Sequence, residues 1–194
     1  LQACSGGLKL RRYPGSPWLA AHFARDIDTL RFCELHSTDF ALLRREFKEA
    51  GRRVRVEQHD GFEAMKAALP SPSRRGLVLI DPSYEIKSDY PRVVTAVKDG
   101  LKRFATGTYL VWLPFLPSIE ACALPEKLKK LPADWLYASL SVRGPATKGH
   151  GMHGSAMFVV NPPWTLKAAL EESLPWLTQV LALDEKAGWV VESS

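Results

Sequence analysis

Short apolar runs alternate with longer stretches of mixed polarity along this chain. Residues 30–35, 54–58, 77–80 and 109–113 read as strands. Between them the apolar positions recur at helical spacing, as with Phe40, Leu43 and Phe47 inside 38–50, which Gly51 ends. Further helices are predicted over 17–25, 62–69, 91–104 and 118–131, the last interrupted by Pro125. Ser16 is the expected N-cap of the first, with Pro17 at its first position. Strands 135–142 and 156–160 follow with no helix between them. Their link, 143–155, is rich in Gly, Lys and His, so the two should pair antiparallel. Helices at 165–173 and 175–183 are expected to close the chain. The pattern predicts one α/β domain over 1–194, with a mainly parallel, doubly wound sheet ending in an antiparallel hairpin.

The stretch Gly76-Leu77-Val78-Leu79-Ile80-Asp81-Pro82-Ser83-Tyr84 organises that sheet. Its unbroken apolar run predicts a strand buried on both faces. Pro82 lacks an N–H, so pairing stops there. Asp81 and Tyr84 are then presented at a strand's carboxyl end, where open α/β sheets bind ligands. Glu34 and Asp60 end two earlier strands, and all three acids are expected on one edge. A carboxylate at an early strand end suits ribose hydroxyls, which is the role for Glu34. Asp60 suits an adenine amino group, with Gly61 allowing close approach. Each acid read alone is an ordinary turn or helix-cap residue.

Composition changes this picture little. The 194 residues are 46% hydrophobic and 24% charged, with net charge +5 and pI about 9.2, which suits a polyanionic partner. Cys4, Cys33 and Cys122 match no zinc spacing and point to a reducing, cytoplasmic setting. No apolar run is long enough to span a membrane. His150 and His153 lie in the Gly-rich link without a third metal ligand. Phosphate contacts could come from Arg11, Arg12, Arg52, Arg53, Arg74, Arg75, Lys102, Arg103, Arg143 and Lys148.

Several motifs together resemble the ribosomal RNA large-subunit methyltransferase J family. They are Arg12-Tyr13-Pro14-Gly15-Ser16-Pro17, Glu34-Leu35-His36, Asp60-Gly61-Phe62, Ser73-Arg74-Arg75-Gly76-Leu77 and Ile80-Asp81-Pro82-Ser83-Tyr84-Glu85. Lys102-Arg103-Phe104-Ala105-Thr106-Gly107 and Asn161-Pro162-Pro163-Trp164 extend them across the chain. The resemblance implies a Rossmann-like fold dependent on S-adenosylmethionine, and methylation of adenine N6 in 23S ribosomal RNA. It implies that Ser16, Glu34, Asp60 and Gly61 contact the cofactor, that Asp81 and the Pro82 carbonyl polarise the amino group, and that Tyr84 stacks on an extruded base. Competing readings are a DNA adenine methyltransferase and an inactive nucleic-acid-binding fragment.

Two departures stand out. The family's Asp-Pro-Pro-Tyr is Asp-Pro-Ser-Tyr here. The family's first strand and Gly-rich cofactor loop have no counterpart before Glu34, since Ser5-Gly6-Gly7 follows no apolar strand. The chain is therefore expected to be amino-terminally incomplete, with a gap between the strands ending at Glu34 and Asp81. Asn161-Pro162-Pro163-Trp164 imitates a second catalytic motif, but it follows an antiparallel strand. It is expected on the opposite edge, as a strand terminator with Trp164 in the core.

Overall fold

The computed structural model describes residues 13–145 and 151–194, so Arg11, Arg12, Lys148 and His150 lie outside the described residues. In order, the elements are α1 (Ser16–Phe23), β1 (Leu30–Cys33), α2 (Ser37–Glu46), β2 (Val54–Glu57), α3 (Gly61–Ala68), β3 (Leu77–Ile80) and α4 (Asp89–Arg103). There follow β4 (Thr108–Pro114), α5 (Ile119–Leu128), β5 (Trp135–Ser141), β6 (Gly154–Val160), α6 (Leu166–Leu181) and β7 (Gly188–Ser193). The chain forms two compact units, Leu1–Ala64 and Met65–Ser194.

In the first unit β1 and β2 pair in parallel, Leu30 opposite Val54 and Cys33 opposite Glu57. Arg53 organises the carboxyl end of α1. Its guanidinium donates to the carbonyls of Ala24 (2.9 Å), Asp28 (3.2 Å) and Ala21 (3.4 Å). The Ala21 and Ala24 carbonyls are acceptors a helix end leaves without intrahelical partners, and a cation there also suits the helix dipole; Asp28 lies in the turn that follows. Gly15 rather than Ser16 caps α1. The Gly15 carbonyl accepts from Leu19 N at 3.1 Å, and Ser16 is already the first helical residue, with no capping bond from its hydroxyl.

In the second unit five strands lie in the order β3-β4-β6-β5-β7. Only β3 and β4 are parallel; β4–β6, β6–β5 and β5–β7 are antiparallel. The antiparallel share exceeds a hairpin because β6 inserts beside β4 and because β7 exists at all; the hydrophobic pattern predicts only helices after residue 165. β4 is covered on both faces. Its Tyr109, Val111 and Leu113 are buried on one side, and Leu110 joins the α6 cluster on the other. That cluster sets Leu166, Leu170, Leu174 and Leu177, one stripe of α6, against Leu136, Ala138 and Leu140, alternate residues of β5.

Two further expectations need correction. Pro125 and Pro175 do not interrupt their helices. Each removes one backbone bond, a cost of about 3 kcal/mol or more. Burial of Leu124 and Leu128 beside one and Leu174 beside the other holds the helices continuous. Strand β3 is not buried on both faces: Leu77 is 65% exposed and Leu79 38%. The physical reason is that Leu77 and Leu79 share one face of the strand, and among the described residues that face is left uncovered.

Candidate active site

Asp81 follows the last residue of β3, and Ile80 is in register with Val111 of the parallel strand β4. The loop that begins there is pinned to other elements in two places. Tyr84 adopts φ +57°, an unfavourable conformation for a bulky residue, which turns its ring back into the unit. The ring is 5% exposed and lies 4.9 Å from Tyr90 and 6.4 Å from Trp112, centroid to centroid. Its hydroxyl donates to the Trp112 carbonyl at 2.7 Å. Burial, reinforced by the nearby Asp81, pushes the phenol far above its usual range, so the hydroxyl stays a donor. Lys87 forms an ion pair with Glu120 at 2.9 Å, tying the loop to the start of α5. The Lys87 hydrogen bond holds the Glu120 carboxyl below its usual range. At the loop's far end Asp89, buried at the start of α4, lies 3.7 Å from Arg92.

Asp81 is exposed and Pro82 half-buried on this anchored loop. Tyr84 differs from expectation. It is covered rather than presented, because the left-handed turn and the Trp112 hydrogen bond draw it under the loop.

In the first unit, Glu34 follows β1 and Asp60 lies just beyond β2. The strands are parallel, so both acids stand at one carboxyl edge. Each carboxylate accepts a bond from the amide two residues on: His36 N to Glu34 at 2.8 Å, and Phe62 N to Asp60 at 2.9 Å. These bonds orient the two acids along the edge. A Cβ built on Gly61 would meet only Cys33 Cβ, at 3.8 Å. Nothing in the protein therefore demands glycine there, and its smallness opens space above the edge. The set of two carboxylates beside an uncrowded backbone fits a nucleoside with a vicinal diol and an amino group. Ser16 is exposed at the first turn of α1. No group of His, Cys, Asp and Glu among the described residues could hold a metal.

The imitation motif lies where its strand direction requires. Val160 pairs with Tyr109 at the start of β4, the sheet edge opposite Asp81. The Asn161 amide side chain donates to the carbonyls of Gly107 (2.7 Å) and Ala105 (2.8 Å), and its backbone N to Asp134 (2.8 Å). Asn161 is a stitch between strand starts. Trp164 is not in the core but 93% exposed, because the chain turns outward after Pro163 before α6 begins. Arg53, a candidate phosphate contact by charge, is engaged on the end of α1. Pattern reading misses both this role and the Tyr84–Trp112 anchor, since each depends on partners distant in sequence.

Comparison with known proteins bears on this arrangement. A Haemophilus influenzae protein named ribosomal RNA large subunit methyltransferase J is 42% identical over 196 residues, covering 96% of this chain and 66% of its own length. Its Escherichia coli namesake is 44% identical over 177 residues, covering 87% and 60%. The chain thus spans somewhat under two thirds of these relatives. A crystal structure of a Legionella pneumophila protein superposes with a TM-score of 0.85 at 31% identity, covering 94% of this chain and 67% of that one. A family model matches residues 2–193. The chain belongs to the family described as ribosomal RNA large subunit methyltransferase D, RlmJ.

Proposed function

We propose that the protein transfers a methyl group from S-adenosylmethionine to N6 of an adenine in 23S ribosomal RNA. One observation carries the reading: an exposed carboxylate, Asp81, followed by a proline carbonyl, on a loop anchored to the adjoining strand through Tyr84. The relatives' names support ribosomal RNA over DNA as substrate. No helix of the described residues is long and apolar enough to cross a membrane, which accords with a cytoplasmic enzyme.

An adenine amino group is a weak nucleophile because its lone pair is delocalised into the ring. Asp81 and the Pro82 carbonyl, as acceptors, hold both amino hydrogens and draw the nitrogen toward tetrahedral geometry. Asp81 then receives the proton that N6 releases as its new bond to carbon forms. When bound, S-adenosylmethionine supplies the electrophilic methyl carbon, whose bond to sulfur breaks. Glu34 would hold the ribose diol and Asp60, beside Gly61, the adenine amino group of that cofactor, with Ser16 contributing a hydroxyl. Stacking of the target base on Tyr84 requires the ring to be uncovered, as base-flipping enzymes need an open face. With its ring covered, Tyr84 positions Asp81 instead.

The test is transfer of labelled methyl to unmethylated 23S ribosomal RNA, with nucleoside mass spectrometry of the product. Asp81→Ala should abolish N6-methyladenosine formation while the unfolding curve stays unchanged. Near-normal turnover by this variant, or a product methylated elsewhere, overturns the reading.

A further inference from the structure

A groove of about 420 Å3 crosses β5 and β7 on the sheet face away from α6. Its floor is Tyr137, Ser139 and Ser141, alternate residues of β5. Lys186, the β7 residue Trp189 and Phe115 also line it. Phe115 follows β4, its amide donating to the Gly154 carbonyl at 3.0 Å. It therefore lies on the same carboxyl edge as Asp81. The register Ile80–Val111 sets Asp81 level with Trp112, so Phe115 is three residues, about 10 Å, further along. Its half-exposed ring packs 5.4 Å from the His153 ring.

We propose that this groove holds the single-stranded RNA flanking the target adenine. The proposal rests on the function argued above and extends that site. Three aromatic side chains line the groove, and aromatic faces stack on any unpaired base, which a duplex would not offer. The aromatic faces rather than net charge carry the fit, since Asp184 and Glu185 stand beside Lys186 and Arg143. Glu192, the acid on the wall, is bonded to Lys129 at 2.7 Å. Asp184 accepts from the amides of Gly144 (3.1 Å) and Lys186 (2.8 Å). The exposed cations Lys186 and Arg143 stand beside these occupied acids. Serines on the floor offer hydroxyls to sugar or phosphate. Continuity with the Asp81 edge gives the strand a path from the reacting base into the groove.

The test is fluorescence anisotropy with the full chain, a short labelled oligoribonucleotide, and its duplex form. The single strand should bind more tightly than the duplex. Phe115→Ala and Lys186→Glu should each weaken it about tenfold, and Phe115→Trp should restore binding. Lys167→Glu, an exposed position on α6 across the sheet, should bind as wild type. Lys186 is exposed, so its variant remains informative should Phe115→Ala fold poorly. Wild-type affinity in both groove variants, tighter binding of duplex, or no RNA binding by the wild type overturns the proposal. Methyl transfer measured in parallel separates the two readings. Normal transfer with unchanged affinity in the groove variants removes the groove alone. Lost affinity in those variants, with no transfer by wild type, removes the proposed reaction alone.

Discussion

Tyr84→Phe removes one oxygen and tests whether the anchor beneath Asp81 has mechanical value. The hydroxyl is buried and 2.7 Å from the Trp112 carbonyl. A hydrogen bond of this kind contributes about 1 kcal/mol, and an acceptor left bare in the interior costs about 1–3 kcal/mol. Trp112 is only half-buried, so solvent can take over part of that bond and the lower half of that span applies. The expected loss is about 1–2 kcal/mol. With a urea slope of about 1–3 kcal/mol/M, the midpoint should fall by about 0.5–1 M. Trp18 alone of the six tryptophans lies in the first unit, so fluorescence follows the second. Tyr84→Ala should lose more, about 3–5 kcal/mol, because the ring goes too. In the transfer assay, Tyr84→Phe should lower kcat with little change in KM for the cofactor. An unchanged midpoint and kcat for Tyr84→Phe would refute the anchor and leave only the ring to explain the position.

Gly100→Ala should destabilise by about 1–3 kcal/mol despite a better helix propensity, since its Cβ would lie 2.7 Å from the buried Tyr109 ring; a raised urea midpoint would contradict this. Asn161→Ala removes two side-chain bonds and leaves alanine at φ +52°, so a loss of about 1–3 kcal/mol is expected in the same assay, with cofactor affinity unchanged. Asp28, hydrogen-bonded by the Arg25 side chain and amide, has its carboxyl pulled down from the usual 3.8 to about 2. Its stabilising contribution is therefore complete above about pH 4 and fades as pH falls toward 2; a carboxyl NMR titration midpoint at or above 3.8 would rule that out.

The parts of the fold legible in sequence are those set by local signals. β3 is bounded as expected because an apolar run ends on Pro82. Glu34 and Asp60 share an edge because strand–helix alternation enforces parallel pairing. Edge or centre could not be told for β3, since Leu-Val-Leu-Ile suits either and only the neighbours decide. β7 escapes notice because Gly-Trp-Val-Val-Glu-Ser alternates poorly and its partner β5 lies far back in the chain, Leu136 opposite Ser193. The burial of Tyr84 rests on one distant carbonyl and a positive φ. The exposure of Trp164 runs against the average behaviour of tryptophan.

Among the described residues β3 pairs only with β4, and in a chain of this extent that margin bears on colloidal behaviour. A strand edge with exposed leucines is a template for pairing with another chain, and such edges seed aggregation unless something blunts them. Here the strand is only four residues long. Arg74 and Arg75 stand just before it and Pro82 just after. Two like charges repel a second copy at one end, and a residue without an N–H ends any added ladder at the other. The proline beside the proposed catalytic carboxylate would thus also limit pairing by another chain.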